Sequence, residues 1–129
     1  MLNIDKQSGQ PVYEQIIEEF KKLILAGSFR SGEQIPSVRA LSTELSVNPN
    51  TIQKAYGELE NAHITFSVPG VGRFVADDAR ERIGKTVSGS LQAVYEASYW
   101  LALSGAPEAG VQEEVRRAFR DAERVRGPG

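Results

Sequence analysis

Pro36-Ser37-Val38-Arg39-Ala40-Leu41-Ser42-Thr43-Glu44-Leu45-Ser46-Val47-Asn48-Pro49-Asn50-Thr51-Ile52-Gln53-Lys54-Ala55-Tyr56 is the stretch that decides the fold. It reads as a short helix, a tight turn and a second helix with a polar outer face. Ser37 suits the N-cap of the first helix, where its hydroxyl accepts an orphan backbone N–H. Val38, Leu41 and Leu45 recur at helical spacing and give that helix one apolar side. Ser46-Val47 makes the turn. Asn48 is a good N-cap, and Pro49 follows at the first helical position, where its missing N–H costs nothing. Ile52, Ala55, Tyr56 and Leu59 then face inward and leave Asn50, Thr51, Gln53 and Lys54 outside. Polar side chains near a helix N-terminus suit base edges and phosphates in a major groove.

Working outward, Phe66-Ser67-Val68-Pro69-Gly70-Val71-Gly72-Arg73-Phe74-Val75 is apolar, then a Pro-Gly-x-Gly turn, then apolar again. This pattern predicts a β-hairpin with a tight tip. A helix-turn-helix followed by a hairpin is a winged helix, with the wing tip along the backbone or minor groove of a duplex. Upstream, Tyr13, Ile16, Ile17, Phe20 and Ile24 line one face of a helix expected from Pro11 to Ala26, and Gly27 suits its C-terminal cap. Residues 1–10 form an extended lead-in.

Four segments carry a resemblance: Pro11-Val12-Tyr13-Glu14-Gln15-Ile16, Gly32-Glu33-Gln34-Ile35-Pro36-Ser37-Val38-Arg39, Val47-Asn48-Pro49-Asn50-Thr51 and Pro69-Gly70-Val71-Gly72-Arg73-Phe74-Val75. In order and in register over roughly residues 8–76, the chain resembles the winged-helix domain of the GntR-type bacterial transcription regulators. The short remainder is similar to the YtrA-like branch, whose C-terminal part is a small helical dimerisation segment. The resemblance implies a mainly α fold with a small β-hairpin: a winged helix-turn-helix over residues 1–76 and a two-helix dimerisation segment over residues 77–129. It also implies a repressor, often of its own operon and of membrane transporter genes. Two positions depart from the family pattern. Val71 stands at a wing tip that often carries Lys or Arg, and His63 stands where a Gly usually ends the recognition helix.

The C-terminal segment begins after Asp77-Asp78, acidic residues that favour a helix N-terminus. Ile83, Val87, Leu91, Val94, Ser98 and Leu101 follow at steps of four and three, a coiled-coil-like seam that wants a partner helix. Gly84 and Gly89 weaken it, by about 1 kcal/mol each relative to Ala. Ser104-Gly105-Ala106-Pro107 breaks the helix, and Val111, Val115, Ala118, Ala122 and Val125 form a second seam with Phe119 beside it. The two helices are expected to bury one face on each other. That leaves the cluster of Tyr95, Tyr99 and Trp100 for a second copy of the chain. Leu91, Val94, Tyr95, Tyr99, Trp100, Val115 and Phe119 are the expected dimer interface. A two-fold dimer implies an inverted-repeat operator. Arg126-Gly127-Pro128-Gly129 reads as a frayed tail.

Bulk properties limit the alternatives. The 129 residues suit one domain, or one domain with an appendage, and 40% hydrophobic with 25% charged residues is ordinary for a globular protein. There is no cysteine, hence no disulfide and no thiolate metal site, which is compatible with a reducing cytoplasm. No stretch approaches a membrane span, and the polar first ten residues lack the apolar core of a signal peptide. No phosphate-binding glycine loop is present, and the single His excludes a plausible Ser-His-Asp set. No enzyme activity, metal or cofactor is expected. The net charge of −2 is unusual for a nucleic-acid partner. Residues 1–76 hold seven Lys/Arg against eight Asp/Glu, and residues 77–129 eight against nine, so any positive face is local. Arg39, Lys54 and Arg73 are the candidates to form it.

The expected DNA contacts are therefore Ser37, Arg39, Asn50, Thr51, Gln53, Lys54, Tyr56, Gly70, Gly72 and Arg73. Arg39 contacts a phosphate or a guanine, or else pairs with Glu44. Gln53 can bond adenine bidentately and leads for specificity. Tyr56 has a ring on the apolar side and a hydroxyl that could reach a phosphate, with packing its larger role. Gly70 and Gly72 serve turn geometry, and their N–H groups can donate to phosphate. Double-stranded DNA and a second copy of the chain are the expected partners. Two rivals remain: a small-molecule effector at the Tyr95–Trp100 cluster, and a protein-interaction module without DNA binding.

Overall fold

The structure, a computed structural model, describes residues 2–126; Gly127-Pro128-Gly129, most of the expected frayed tail, lies outside the described residues. The chain runs α1 (Val12–Leu25), α2 (Val38–Leu45), α3 (Pro49–Asn61), β1 (Thr65–Val68), β2 (Gly72–Val75), α4 (Ala79–Ser88), α5 (Ser90–Leu103) and α6 (Glu108–Arg126). It is mainly helical with one hairpin, and it divides into two compact units, residues 1–83 and 84–129.

The core of the first unit follows from helical spacing. Ile16, Phe20 and Ile24 of α1 meet Leu41 of α2 and Ile52, Ala55, Tyr56 and Leu59 of α3, all buried. Phe20 stacks on Phe29 at 5.4 Å and meets the Tyr56 ring edge-on at 5.6 Å. Gly27 ends α1 at φ 85°, which lets Ser28 N–H donate to the Leu23 carbonyl and Gly27 N–H to that of Ile24, closing the helix with a Schellman motif. The buried Gln15 ties the lead-in down. Its Oε1 accepts from Asp5 N–H at 2.8 Å, and its Nε2 donates to the Asp5 and Gln10 carbonyls, both at 2.9 Å. That satisfies a buried amide and drops Leu2 into the core.

β1 and β2 pair antiparallel, Thr65 opposite Val75 and Val68 opposite Gly72. The hairpin is wider than the sequence suggests. Residues 32–35 run along the free edge of β2: Ile35 N–H donates to the Arg73 carbonyl at 2.9 Å, Val75 N–H to that of Glu33 at 2.9 Å, and Gln34 bridges Phe74. This bridging segment has no alternating apolar pattern of its own.

The apolar core of the first unit continues past residue 76. Ala79 and Ile83, on the first turns of α4, are buried with it, although the sequence reading assigns them to the C-terminal segment. The long seam that begins at Ile83 is interrupted at Gly89, between α4 and α5. In the second unit, no described residue of α5 or α6 is buried. The expectation that these helices bury one face on each other is therefore corrected. Leu91, Val94, Tyr95, Tyr99, Trp100, Val115 and Phe119 are all exposed.

Candidate nucleic-acid interface

The two helix starts are set by local capping. Ser37 Oγ accepts from Ala40 N–H at 3.1 Å, and Asn48 Oδ1 accepts from Asn50 N–H at 2.8 Å, with Pro49 next at the first helical position. Asn48 is thereby spent as a cap. Between the helices Ser46 takes φ 53°, and three bonds hold that turn. Val47 N–H donates to the Ser42 carbonyl, Ser42 Oγ donates to the Val47 carbonyl, and Lys6 Nζ donates to the Ser46 carbonyl at 2.8 Å. This turn fixes α3 so that Asn50, Gln53 and Lys54 are exposed and Thr51 is half-buried.

The wing is held to the same platform. Gly70 has φ 76° and Gly72 φ 148°, conformations that glycine adopts without strain. A Cβ on Gly72 would also fall 2.3 Å from Gln34 Nε2, which donates to the Val71 carbonyl at 3.1 Å. Gln34 thus grips the wing turn from the bridging segment. The tip offers Val71, 61% exposed, in place of a charge. Behind it Phe66 stacks on Phe74 at 5.7 Å.

Of the expected positive residues, the structure joins Arg73 to α3 and Lys54 to α1. An Arg73 Nη donates to Gln53 Oε1 at 3.5 Å, and the guanidinium carbon lies 5.4 Å from the Tyr56 ring centre. Lys54 Nζ sits 3.9 Å from the centre of the Tyr13 ring, a cation–π contact. Arg39 is exposed on α2, and among the described residues it has no carboxylate partner, Glu44 included.

Tyr56 corrects an expectation. It is 0% exposed, and its hydroxyl donates to the Pro36 carbonyl at 2.8 Å. Burial pushes the hydroxyl well above the ordinary tyrosine range, partly offset by the neighbouring Arg73 charge. Tyr56 is therefore a neutral strut between α3 and the start of α2, with no surface to offer a phosphate. His63 takes φ 60°, the left-handed conformation of the glycine it replaces. Its N–H donates to the Glu60 carbonyl and that of Ile64 to Leu59, so α3 still closes with a Schellman motif.

Sequence reasoning missed Gln34 and Tyr13 as positioning groups. Both stand in segments that carry the family resemblance, but nothing in their spacing shows that Tyr13 faces Lys54 or that Gln34 reaches the wing turn. Among the described residues no group of three His, Asp or Glu side chains could hold a metal, and no helix is long and apolar enough to cross a membrane.

Comparison with known proteins agrees with this geometry. Residues 12–75 match the family described as bacterial regulatory proteins, gntR family. The HTH-type transcriptional repressor YtrA of Bacillus subtilis (strain 168) is 39% identical over 114 residues, 88% of this chain and 85% of that protein. A transcriptional antiterminator from Listeria monocytogenes EGD-e superposes with a TM-score of 0.76 at 30% identity, covering 95% of this chain and 92% of the other. AraR(DBD), solved in complex with operator ORR3, superposes with a TM-score of 0.51 at 32% identity, covering 57% of this chain and 89% of that one. A helix-turn-helix with a gripped wing, matched along its length to such relatives, leaves one assignment: the chain belongs to the gntR family of bacterial regulatory proteins.

Proposed function

We propose that this DNA-binding transcription regulator acts as a repressor, gripping an inverted-repeat operator as a homodimer in the cytoplasm. The observation that carries this reading is the exposed start of α3. Asn50, Thr51 and Gln53 stand on a helix whose turn, inner face and neighbouring wing are all fixed, so their side chains can enter a major groove in one register. Arg39 and Lys54 flank them as phosphate or base contacts, and Ser37, Gly70 and Gly72 add polar and backbone groups along the same strands. The repressor assignment is supported by the YtrA relative, and the mode of binding by the AraR(DBD) operator complex.

Dimerisation rests on the second unit. Its apolar side chains match the expected interface and lie uncovered in the single chain: Leu91 is 75% exposed, Trp100 66% and Phe119 73%. So much apolar surface on two short helices favours a second copy of the same helices.

The test is selection from a randomised duplex library at moderate salt, followed by sequencing. The expected product is an inverted repeat whose half-sites lie about one helical turn, roughly 10 base pairs, or somewhat more, apart. A folded dimer that enriches no sequence would overturn the reading and favour a protein-interaction module.

A further inference from the structure

Gln53 on α3 and Arg73 on the wing are twenty residues apart in sequence and meet through one hydrogen bond. Arg73 is held at its backbone and at its guanidinium. Its carbonyl accepts from Ile35 N–H at 2.9 Å and its guanidinium lies against the Tyr56 ring, while its Nε is buried without a hydrogen-bond partner among the described residues. That ring is itself immobile, because Tyr56 is fully buried and its hydroxyl is anchored on Pro36. The guanidinium is thus part of a rigid frame, whereas Gln53 is an exposed side chain with freedom to turn.

The chemistry of the two groups then dictates an orientation. A guanidinium carries only donors. A carboxamide beside it must turn its oxygen inward, which leaves its NH2 facing out. Bidentate pairing with adenine requires both ends of the amide, the oxygen accepting from N6–H and the nitrogen donating to N7. With one lone pair of the oxygen committed to Arg73 and the oxygen turned away from the groove, the outward NH2 matches best the edges where no donor stands beside the acceptor, O6 and N7 of guanine or O4 of thymine, whereas adenine sets its N6–H2 next to N7.

We infer that Arg73 is a positioning residue that fixes the Gln53 carboxamide donor-outward, so that Gln53 selects a keto base, guanine or thymine, in each half-site. This inference rests on the DNA-binding reading and replaces the expectation of an adenine contact. It also gives Arg73 a role other than phosphate neutralisation.

The experiment is the same library selection, run on the wild-type chain and on Gln53→Ala, Arg73→Met, Arg73→Lys and Gln53→Glu. Gln53→Ala identifies the base position that Gln53 controls, since preference disappears there. In the wild type that position should be guanine or thymine. Arg73→Met removes the donors and keeps an apolar stem over Tyr56. Its discrimination against adenine at that position should fall by about tenfold, while preferences elsewhere in the half-site persist. Arg73→Lys keeps the charge without the planar fork, so affinity for random DNA should hold while the keto preference relaxes. Gln53 is exposed, so Gln53→Glu carries the test if Arg73→Met does not fold. An acceptor-only side chain should exchange the keto preference for an amino-bearing base, cytosine or adenine. Adenine at the Gln53 position of the wild type would overturn the inference. So would an Arg73→Met variant that loses affinity equally on specific and random DNA with its base preferences intact, the mark of a phosphate contact. Failure of every folded variant and of the wild type to enrich any sequence removes the DNA-binding reading itself, a separate outcome.

Discussion

Tyr56 shows what one residue can hold together and how little of that is written next to it in the chain. Its ring fills the core against Phe20 and carries the Arg73 guanidinium, and its hydroxyl reaches the Pro36 carbonyl twenty residues away. Because burial raises the pKa of this hydroxyl, the folded state keeps a proton that the unfolded chain releases above its ordinary value of about 10. The folded state therefore binds more protons at high pH. The contribution of this group is complete below about pH 10 and falls as pH rises beyond it, by up to about 1.4 kcal/mol per pH unit. Tyr56→Phe should lower stability at neutral pH by about 0.5–1.5 kcal/mol through the lost hydrogen bond. It should also flatten the alkaline fall, so that the two proteins converge as pH rises. Denaturant unfolding between pH 7 and 11 checks this, and parallel curves would contradict it. Ser37 and Asn48 were legible in the sequence because a cap bonds an N–H two or three residues away. The Tyr56 hydroxyl and the Lys54–Tyr13 contact were not, since their partners are brought close only by the packing of separate elements.

At the scale of elements, the hairpin and the two helices of the turn motif were readable, because each announces itself by period, cap or turn residues. The bridging segment at residues 32–35 was not. It has no β pattern and exists because β2 offers it a free edge, with Gly32 N–H donating to the Val75 carbonyl at 2.8 Å. That segment turns the wing from a free hairpin into a clamped one, and Gly72 is where the clamp closes. Gly72→Ala must place a Cβ at φ 148° and displace the Gln34 side chain. We expect a loss of about 1–3 kcal/mol in stability. Gln34→Ala removes the clamp without backbone strain and should cost less stability while still loosening the wing. If both variants unfold like the wild type in thermal melts and hydrogen exchange at Val71 is unchanged, the clamp has no energetic weight. The C-terminal helices illustrate a different limit. Periodicity marks an apolar face on α6 and apolar positions nearly all round α5, but it cannot say what covers them, and no described residue of either helix is buried.

For the molecule as a whole, exposed apolar surface is concentrated in the second unit, while charge is nearly balanced in both parts of the chain. The arginines of α6 are neutralised along their own helix: Arg117 on Glu114 at 2.6 Å, Arg120 on Glu113 at 3.0 Å, and Arg116 and Arg124 on acids three residues before them. These exposed, solvent-screened pairs add little stability and leave little positive field along that helix. In the proposed complex, attraction to phosphates falls to Arg39 and Lys54, and a dimer carrying two such groups per protomer should show a salt slope no steeper than about −4. A steeper slope measured on the selected operator would reveal phosphate contacts elsewhere, Lys6 beside the helix turn being the first to examine. With so few charges, the proposed repressor should bind each half-site weakly and gain its affinity by joining two of them. Two linked contacts exceed one by about 10²- to 10⁴-fold, because the second binds as an intramolecular event. Leu91→Asp combined with Phe119→Asp places a charge in the first apolar seam and another beside the second, at side chains 75% and 73% exposed in the single chain. Sedimentation should show the wild type near twice the 14.1 kDa chain mass and the double variant near that mass. Operator affinity should fall within the range given, while affinity for an isolated half-site stays unchanged because α3 and the wing are untouched. A wild type that sediments as a monomer, or a monomeric variant that keeps full operator affinity, would remove the dimer from the mechanism and leave α5 and α6 as a surface for some other partner.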